Sequence, residues 1–314
     1  MKTKTQDSLK VAFAGGGSFA LPIFKALTEN YSDLTLLTKR DKPKGRGGKV
    51  TISPIKQMAQ KNNVPIFEPK NKLEMEEIVA RIKPDIVIVA SLGIIITQVT
   101  LDMPKYGFLN VHFSLLPLHR GSCPVQATIL AGDKKAGITI QKMAAEVDAG
   151  DVVSQFAINL DGRETTASLG SGLSSLAAKK IIDVIKSYTT GTITPQRQDH
   201  SQATFTKMIQ KTDGAIDWSE SAENIERKVR AYTPWPGTYT YWNKKLLKVI
   251  EANATNEKSD EKPGTFVDLG NKEYGVQTGN GVLVLKKVQL EGKKPLVTSD
   301  FIIGNNSIIG NILV

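Results

Sequence analysis

The sequence has little of several residue types that specialised protein classes need. It has one cysteine, Cys123, so a disulfide framework and a cysteine-ligated zinc site are excluded. Aromatic residues make up 6% of the chain and charged residues 23%, which is typical of an ordinary globular protein rather than a fibrous or disordered one. A single thiol is compatible with a reducing compartment, and we expect a cytoplasmic protein.

Long hydrophobic runs are also lacking. The uncharged apolar stretch Ile86–Leu101 has 16 residues and contains Ser, Gly, Thr and Gln, whereas a membrane-spanning helix needs about 20 apolar residues. The run Val11–Phe24 follows three lysines as in a signal peptide, but Gly15-Gly16-Gly17 interrupts it and no cleavage site follows. We therefore expect neither a membrane span nor a targeting segment.

Positive charge is abundant and unevenly placed. The formal net charge is +10. The stretch Lys39–Lys49 contributes +5 of it, because it holds six lysines and arginines and one aspartate. Such a density is typical of a solvated loop, and also of a surface that binds a phosphate-rich partner. Charge alone does not separate these two interpretations.

Strand and helix patterns alternate in the first part of the chain. Apolar runs predict strands near residues 10–14, 34–38, 65–67, 85–90, 108–112, 138–143 and 152–158. Periodic apolar positions predict helices near residues 19–27, 53–61, 74–82 and 167–188. This alternation is typical of an α/β fold, and we predict a Rossmann-like domain with a parallel sheet over residues 1–189.

The rest of the chain has a different pattern. Residues 190–206 are rich in Thr, Gln and Ser and have no apolar period, which predicts a linker. A helix is predicted at 221–232, and short strand-like runs follow at residues 239–242, 246–252, 265–268 and 282–288. We therefore predict a smaller OB-like β-barrel domain over residues 207–314, a class that includes nucleic-acid-binding proteins.

The first glycine-rich turn leaves one alternative open. Gly15-x-Gly17-x-x-Ala20 lies between a predicted strand and a predicted helix, as in a dinucleotide-binding fingerprint. An NAD site would have an acidic residue after the next strand, where this chain has Lys39-Arg40. Those cations suit an NADP phosphate, so an NADP-dependent oxidoreductase is an alternative, and a tight turn without a ligand is another.

A more informative constellation follows. Asn110 and His112 are two residues apart on a predicted strand, so their side chains share one face. With the carboxylate of Asp148, they form a set suited to acyl transfer to an amine. The amide stabilises charge on oxygen, the histidine moves a proton, and the carboxylate orients the histidine. No side-chain nucleophile is implicated, and direct transfer is the simpler proposal. A hydrogen-bonded core histidine is the structural alternative.

The residues around this set resemble a known family. Asn110-x-His112-x-Ser114-Leu115-Leu116-Pro117, with Asp148-x-Gly150-Asp151, is similar to the signature of 10-formyltetrahydrofolate-dependent formyltransferases. Over nearly the whole chain the resemblance is to the methionyl-tRNA formyltransferase branch of that family. It includes Asp41-Lys42-Pro43-Lys44-Gly45-Arg46-Gly47, Ser53-Pro54-Ile55-Lys56, Ile216-Asp217-Trp218 and Arg230-Ala231-Tyr232-x-Pro234-Trp235-Pro236.

The resemblance implies a role for each matching position. It implies that the catalytic residues are Asn110, His112 and Asp148. It implies that tetrahydrofolate lies beside Ser114, Leu115, Leu116, Pro117, Ser91, Leu92, Gly93, Ile94 and Ile95. It implies that the tRNA is contacted by Lys42, Lys44, Arg46 and Lys49. Departures from the family pattern occur at the Gly15–Ser18 turn, at Leu92 and at Leu118-His119.

The implied reaction moves a formyl group from 10-formyltetrahydrofolate to the α-amine of methionyl-tRNA, in translation initiation. The resemblance implies no metal, and we expect a monomer. Two further alternatives remain. A formyltransferase acting on a sugar nucleotide would have no use for the Lys39–Lys49 stretch. A non-enzymatic RNA-binding module would have no use for the Asn110, His112 and Asp148 set.

Overall fold

The computed structural model describes residues 9–41, 43–44, 49–257 and 260–314, and at 43–44 and 49–50 it describes the backbone only. These residues form two compact units. The first unit comprises residues 9–124, 135–159 and 169–207, and the second comprises residues 125–134, 160–168 and 208–314. Each unit has its own strands and its own buried core.

The first unit is built on a seven-stranded sheet of order β10-β9-β7-β6-β1-β2-β5. The strands of this unit are β1 (Val11–Gly15), β2 (Leu34–Leu37), β3 (Pro43–Lys44), β4 (Lys49–Val50), β5 (Ile66–Phe67), β6 (Ile86–Ala90), β7 (Phe108–His112), β8 (Arg120–Gly121), β9 (Lys135–Lys142), β10 (Val152–Asn159) and β11 (Phe205–Thr206). Strands β1 and β6 are buried along their whole length, which agrees with their uninterrupted apolar sequences.

The sheet is parallel from β5 to β7, as predicted, but β9 runs in the opposite direction, so both of its pairings are antiparallel. Strand β9 pairs antiparallel with β7, and β10 pairs antiparallel with β9. Strands β9 and β10 are joined by a short loop, residues 143–151, and strands so joined run antiparallel, whereas a parallel pair needs a long crossover. The prediction of a parallel sheet therefore holds for four of the six strand pairings, and the two pairings of β9 are antiparallel.

Helices connect the strands at positions that local sequence explains. They are α1 (Leu21–Asn30), α2 (Pro54–Lys61), α3 (Lys72–Ile82), α4 (Gln98–Leu101), α5 (Pro124–Ala131), α6 (Thr166–Thr189), α7 (Ala222–Tyr232) and α8 (Thr298–Ile303). Helix α3 begins after Asn71, whose side chain accepts hydrogen bonds from two backbone N–H groups of the first turn. Helix α5 was not predicted, because its apolar residues surround the helix and leave no period to detect.

The second unit contains an antiparallel sheet of order β12-β13-β16-β15-β14, with β17 paired to β16. Its strands are β12 (Thr238–Trp242), β13 (Lys245–Thr255), β14 (Phe266–Gly270), β15 (Glu273–Gln277), β16 (Val282–Leu290) and β17 (Leu296–Val297). The C-terminal residues bond to both edges: Val314 exchanges hydrogen bonds with Tyr241, and Leu313 donates to the carbonyl of Gly264. This closure agrees with the predicted barrel.

The predicted linker is packed within the first unit. Strand β11 pairs with β8, and Gln196 exchanges two backbone hydrogen bonds with Val152. Conversely, residues 125–134 and 160–168, which the sequence placed in the first domain, cluster with the second unit. Among the residues described, no helix is long and apolar enough to cross a membrane.

Candidate active site

Strand β7 presents Asn110 and His112 on one face of the sheet. The antiparallel pairing with β9 places Gln141 opposite Asn110, and Thr139 opposite His112. Residues directly opposite each other on neighbouring strands project to the same side. An amide from each strand and one imidazole therefore lie side by side, and both Gln141 and His112 are buried.

The loop 143–151 brings Asp148 over this face. Its Oδ1 accepts hydrogen bonds from Nε2 of Gln141 at 2.8 Å and from Nδ2 of Asn110 at 3.3 Å. Its Oδ2 accepts one from the backbone N–H of Gly121 at 2.8 Å and lies 3.5 Å from Nδ1 of His112. The structure thus brings the three predicted catalytic residues together around one carboxylate.

His112 is held between two acceptors. Its Nε2 lies 3.0 Å from the carbonyl oxygen of His119, whereas its Nδ1 lies 3.5 Å from Asp148. Because the shorter contact is within hydrogen-bond distance, we assign the proton of the neutral ring to Nε2, which donates it to the His119 carbonyl. Burial lowers the pKa of His112 below its ordinary value, although the Asp148 carboxylate and the His119 carbonyl oppose that shift. A neutral imidazole therefore keeps a lone pair on Nδ1, beside the carboxylate.

The arrangement can stabilise a negatively charged oxygen and accept a proton. Asn110 uses one amide hydrogen on Asp148 and has a second one for another acceptor. A proton that reaches Nδ1 of His112 is stabilised by the carboxylate 3.5 Å away. Within the described part of the chain, no group of three or more His, Cys, Asp or Glu side chains is placed to hold a metal ion.

A cavity of about 390 Å³ opens beside these groups. Its lining residues include Asn110, His112 and Asp148, and also Ser91, Leu92, Gly93 and Ile94 after strand β6. Four of the predicted folate contacts are therefore at the cavity wall. Ile95 is 80% exposed and is not part of that wall.

The other predicted folate contacts lie outside this lining. Residues 114–117 form a turn that Thr139 braces, since its hydroxyl donates to the Ser114 carbonyl and accepts from the Leu116 N–H. Ser114 also donates to the carbonyl of Leu118 at 2.6 Å. Ser114, Leu115, Leu116 and Pro117 thus belong to the segment that leads to the His119 carbonyl, and they are not among the residues that line this cavity.

The glycine-rich turn has a structural explanation that needs no dinucleotide. A side chain at Gly15 would collide with the carbonyl oxygen of Ala90 on the neighbouring strand β6. The first glycine is therefore required by the approach of two strands. The first glycine is thus explained without a bound dinucleotide.

The four basic residues predicted to contact tRNA are only partly described. Lys44 and Lys49 are directly opposite each other in the pairing of β3 with β4, and Lys42 and Arg46 lie outside the described residues. Just before these four residues in the chain, Asp41 accepts hydrogen bonds from Nζ of Lys56 at 2.9 Å and from the Ser53 N–H at 3.1 Å.

A larger cavity, about 520 Å³, lies in the second unit, but it lacks the groups that acyl transfer needs. Its Arg230 forms two hydrogen bonds with Glu226 and a third with the Glu164 carbonyl. The side chains around it carry more carboxylates than cations. The smaller cavity is the better candidate because it contains the amide, the imidazole and the carboxylate together.

The sequence did not single out three residues that surround Asp148. These are Gln141, which the register of β9 brings in, Gly121, which donates through its backbone, and Gln198, from the predicted linker, which donates to the Asp148 carbonyl. The sequence does offer a signal for Gly121, because Arg120-Gly121 lies only a few residues after the Asn110–Pro117 signature. Gln198 gave no local signal, because its partners are about fifty residues away in the sequence.

Comparisons with known proteins identify the family of the chain. The family described as Formyl transferase matches residues 9–185, and Formyl transferase, C-terminal domain, matches residues 208–306. The methionyl-tRNA formyltransferase of Clostridium novyi (strain NT) is 35% identical over 97% of this chain and 100% of its own length. That of Roseiflexus castenholzii is 39% identical over 94% and 95%.

Solved structures show the same fold. A methionyl-tRNA formyltransferase from Clostridium thermocellum matches with a TM-score of 0.56 and 22% identity, over 80% of this chain and 95% of its own. WlaRD, a sugar 3N-formyl transferase solved with dTDP and 5-N-formyl-THF, matches with a TM-score of 0.67 and 18% identity, over 92% and 100%. With both domains matched and relatives aligned along nearly their whole length, the chain belongs to the methionyl-tRNA formyltransferases of the formyl transferase family.

Proposed function

We propose that this protein transfers the formyl group of 10-formyltetrahydrofolate to the α-amine of methionyl-tRNA. The observation that carries the proposal is the convergence of Asn110, His112 and Asp148 at one cavity, in a chain of this family. The product, formyl-methionyl-tRNA, would serve translation initiation.

In the first step, the amine nitrogen attacks the formyl carbon and forms a C–N bond, while the carbonyl electron pair moves to the formyl oxygen. The free amide hydrogen of Asn110 stabilises that oxygen. The amine proton passes to Nδ1 of His112, which is available because the neutral ring carries its proton on Nε2. Asp148 stabilises the resulting imidazolium.

In the second step, the electron pair on oxygen re-forms the carbonyl and the bond from carbon to N10 of the folate breaks. N10 receives the proton from His112, so the histidine returns to its neutral form. No proton is gained or lost overall, and no covalent enzyme intermediate is needed. Burial of His112 favours this cycle, because it keeps the histidine neutral before each turnover.

The pterin ring of the folate is proposed to lie against Ser91, Leu92, Gly93 and Ile94. These residues follow the carboxyl end of a parallel strand, where ligands bind in open α/β sheets. Leu92 is 7% exposed and apolar, so Leu92→Asp places a charge against the ring. We expect the KM for formyl-folate to rise at least tenfold while that for tRNA changes little. Equal changes in both constants would place the folate elsewhere.

The tRNA is proposed to contact Lys42, Lys44, Arg46 and Lys49. Their charge density suits a phosphate backbone, and arginine can grip a phosphate or a base edge with two parallel hydrogen bonds. The second unit is proposed to contribute further contacts, since its sequence matches the C-terminal domain of the family.

A single assay tests the proposed function. Purified protein is supplied with 10-formyltetrahydrofolate and radiolabelled initiator methionyl-tRNA, and the aminoacyl product is analysed for formyl-methionine after deacylation. Parallel reactions offer an amino-sugar nucleotide in place of the tRNA. We expect formyl-methionine and no formylated sugar. Formylation of the sugar nucleotide alone would assign the protein to another branch of the family.

A further inference from the structure

The segment 196–206, which we call the strap, runs beside the loop that carries Asp148. Gln196 exchanges backbone hydrogen bonds with Val152, at 2.7 and 2.8 Å. In an antiparallel pairing each step forward on one strand matches a step back on the other. Residue 198 therefore falls opposite residue 150, and this register brings the side chain of Gln198 to the Asp148 loop.

Both ends of the Gln198 amide are used. Its Nε2 donates to the carbonyl oxygens of Asp148 at 2.8 Å and of Gly150 at 2.6 Å. Its Oε1 accepts from Nε and Nη2 of Arg120, at 3.2 and 2.8 Å. Because guanidinium groups only donate and carbonyl oxygens only accept, the amide has one possible orientation. At 6% exposure, little water can replace these bonds.

The loop that Gln198 holds has an unusual backbone. Asp148 has a φ of +52°, in the left-handed region that non-glycine residues seldom adopt. At Gly150 any side chain would collide with the carbonyl oxygen of Lys142. Such a conformation persists only where neighbouring groups impose it, and the two hydrogen bonds from Gln198 are placed to do so.

The strap also supports the opposite side of the Asp148 carboxylate. Strand β11 pairs with β8, so Thr206 lies against Gly121, whose N–H donates to Oδ2 of Asp148. The hydroxyl of Thr204 accepts from the His119 N–H at 2.8 Å, next to the carbonyl that accepts from His112. The strap therefore holds the backbone of Asp148 through Gln198, and it supports the carboxylate of Asp148 through Gly121.

We infer that Gln198 is a positioning residue that holds the Asp148 carboxylate in place against His112 and Asn110. The inference rests on the proposed function of these three groups. Gln198 itself touches no reacting atom, and it acts through Asp148. The inference also assigns a role to the segment 190–206, which connects the two matched domains along the chain.

The test uses Gln198→Glu in the full-length protein. Glutamate keeps the size and the acceptor for Arg120, but it has no N–H for the two carbonyls. A displacement of a catalytic group by about 1 Å can cost on the order of 10²-fold in rate. We expect single-turnover formylation to slow by about that factor, with the KM values for formyl-folate and methionyl-tRNA within twofold of wild type.

A double-mutant cycle shows whether the effect passes through Asp148. In an Asp148→Asn background, Gln198→Glu should slow the reaction by less than twofold further, because the group being positioned no longer acts. A full and additive loss in that background would overturn the inference. So would a wild-type rate for Gln198→Glu alone. If Gln198→Glu fails to fold by circular dichroism, Gln198→Met is measured with the same criteria.

Gln277 provides a matched control. It is also 6% exposed, and its Nε2 donates to the carbonyls of Thr278 at 2.9 Å and Gly281 at 3.4 Å, in the second unit. Gln277→Glu should lower the melting temperature and leave the single-turnover rate of the folded protein unchanged. Absence of formyl-methionine from the wild-type protein would contradict the proposed function, whereas a wild-type rate for Gln198→Glu would contradict the role of Gln198 alone.

Discussion

Two charged clusters in the first unit differ in how their charges are balanced. In the Asp148 cluster, the carboxylate accepts from the neutral donors Asn110, Gln141 and Gly121, and faces His112. In the Lys56 cluster, an ammonium group with 8% side-chain exposure lies between the carboxylates of Asp41 and Glu68. The Lys56 cluster thus pairs permanent charges of opposite sign, whereas the Asp148 cluster pairs a carboxylate with neutral donors and a histidine.

The pKa shifts follow from this difference. Burial works to lower the pKa of Lys56, but its two carboxylate partners outweigh burial and hold that pKa above the ordinary value. Burial works to raise the pKa of Asp41, and the hydrogen bonds from Lys56 and Ser53 hold it below the ordinary value. At His112, burial prevails and the pKa falls. The Lys56 cluster thus keeps fixed charges, whereas the Asp148 cluster contains a group that can change its protonation.

The largest expected effect is a loss of turnover, and only substitutions in the Asp148 cluster should cause it. Asn110→Ala and His112→Ala should each lower kcat by on the order of 10²–10⁴, because one removes the donor to the oxyanion and the other the proton acceptor. The measurement is single-turnover formylation with both substrates saturating. Lys56→Met, measured alongside, should leave the rate within twofold. A folded His112→Ala protein with near-wild-type kcat would show that the role of His112 is wrong.

The next effect is a loss of stability, which we expect from substitution in the Lys56 cluster. Lys56→Met leaves the carboxylates of Asp41 and Glu68 without their shared cation. We expect a loss of roughly 2–3 kcal/mol, less than for a fully buried pair because the Glu68 side chain is 35% exposed. Urea denaturation measures the change. The control is Lys70→Met, since Lys70 is 54% exposed and its pair with Glu74 at the surface should contribute little to stability. Equal losses of unfolding free energy in both variants would show that the Lys56 cluster is no more stabilising than a surface ion pair.

The acid limb of the pH–rate profile sharpens the comparison further. Because burial lowers the pKa of His112, kcat should stay high below pH ~6.5, the ordinary histidine value, and fall only as pH drops through the lower folded pKa. The stability that His112 contributes follows the same sign: it is present above pH ~6.5 and is lost as pH falls through the folded pKa. An NMR titration of the His112 ring checks that its pKa lies below the ordinary value. A limb at or above pH 6.5 would contradict the proposed neutral base.

The smallest effect concerns the basic residues that follow Asp41. Neutralising Lys42, Lys44 and Lys49 together should flatten the dependence of log tRNA affinity on log salt, by roughly 0.7–0.9 for each phosphate group that the variant no longer binds. Arg46→Lys should weaken tRNA binding, and Arg46→Ala should weaken it more, with folate binding unchanged. Filter-binding titrations at several salt concentrations measure the slopes. An unaltered slope in the triple variant would indicate a solvated loop without a role in tRNA binding.

Much of the candidate site was predictable from local pattern. A strand period of two places Asn110 and His112 on one face, and the structure has that strand as β7. The resemblance of residues 110–117 and 148–151 to a family signature added Asp148. The same resemblance predicts folate contacts at residues 114–117, and the structure places these residues in a turn braced by Thr139. Their contact with folate stays a prediction.

Other parts of the site left no local pattern. The antiparallel direction of β9 brings Gln141 to Asp148, and apolar periodicity does not encode strand direction. Residues 190–206 have no apolar period, which predicts a linker, although Gln198 is buried against the Asp148 loop and donates to the Asp148 carbonyl. Polar side chains that pack through hydrogen bonds to distant backbone groups are invisible to a hydrophobic period.

By itself, the sequence determined the α/β and β-barrel organisation, the face shared by Asn110 and His112, and the concentration of charge at Lys39–Lys49. Each depends on residue order over a few neighbouring positions, where strand and helix periods act. Only the tertiary structure decided the burial of His112, the donors around Asp148 and the place of Gln198. Desolvation and hydrogen-bond geometry depend on atoms from segments far apart in the chain, and those segments meet only in the folded protein.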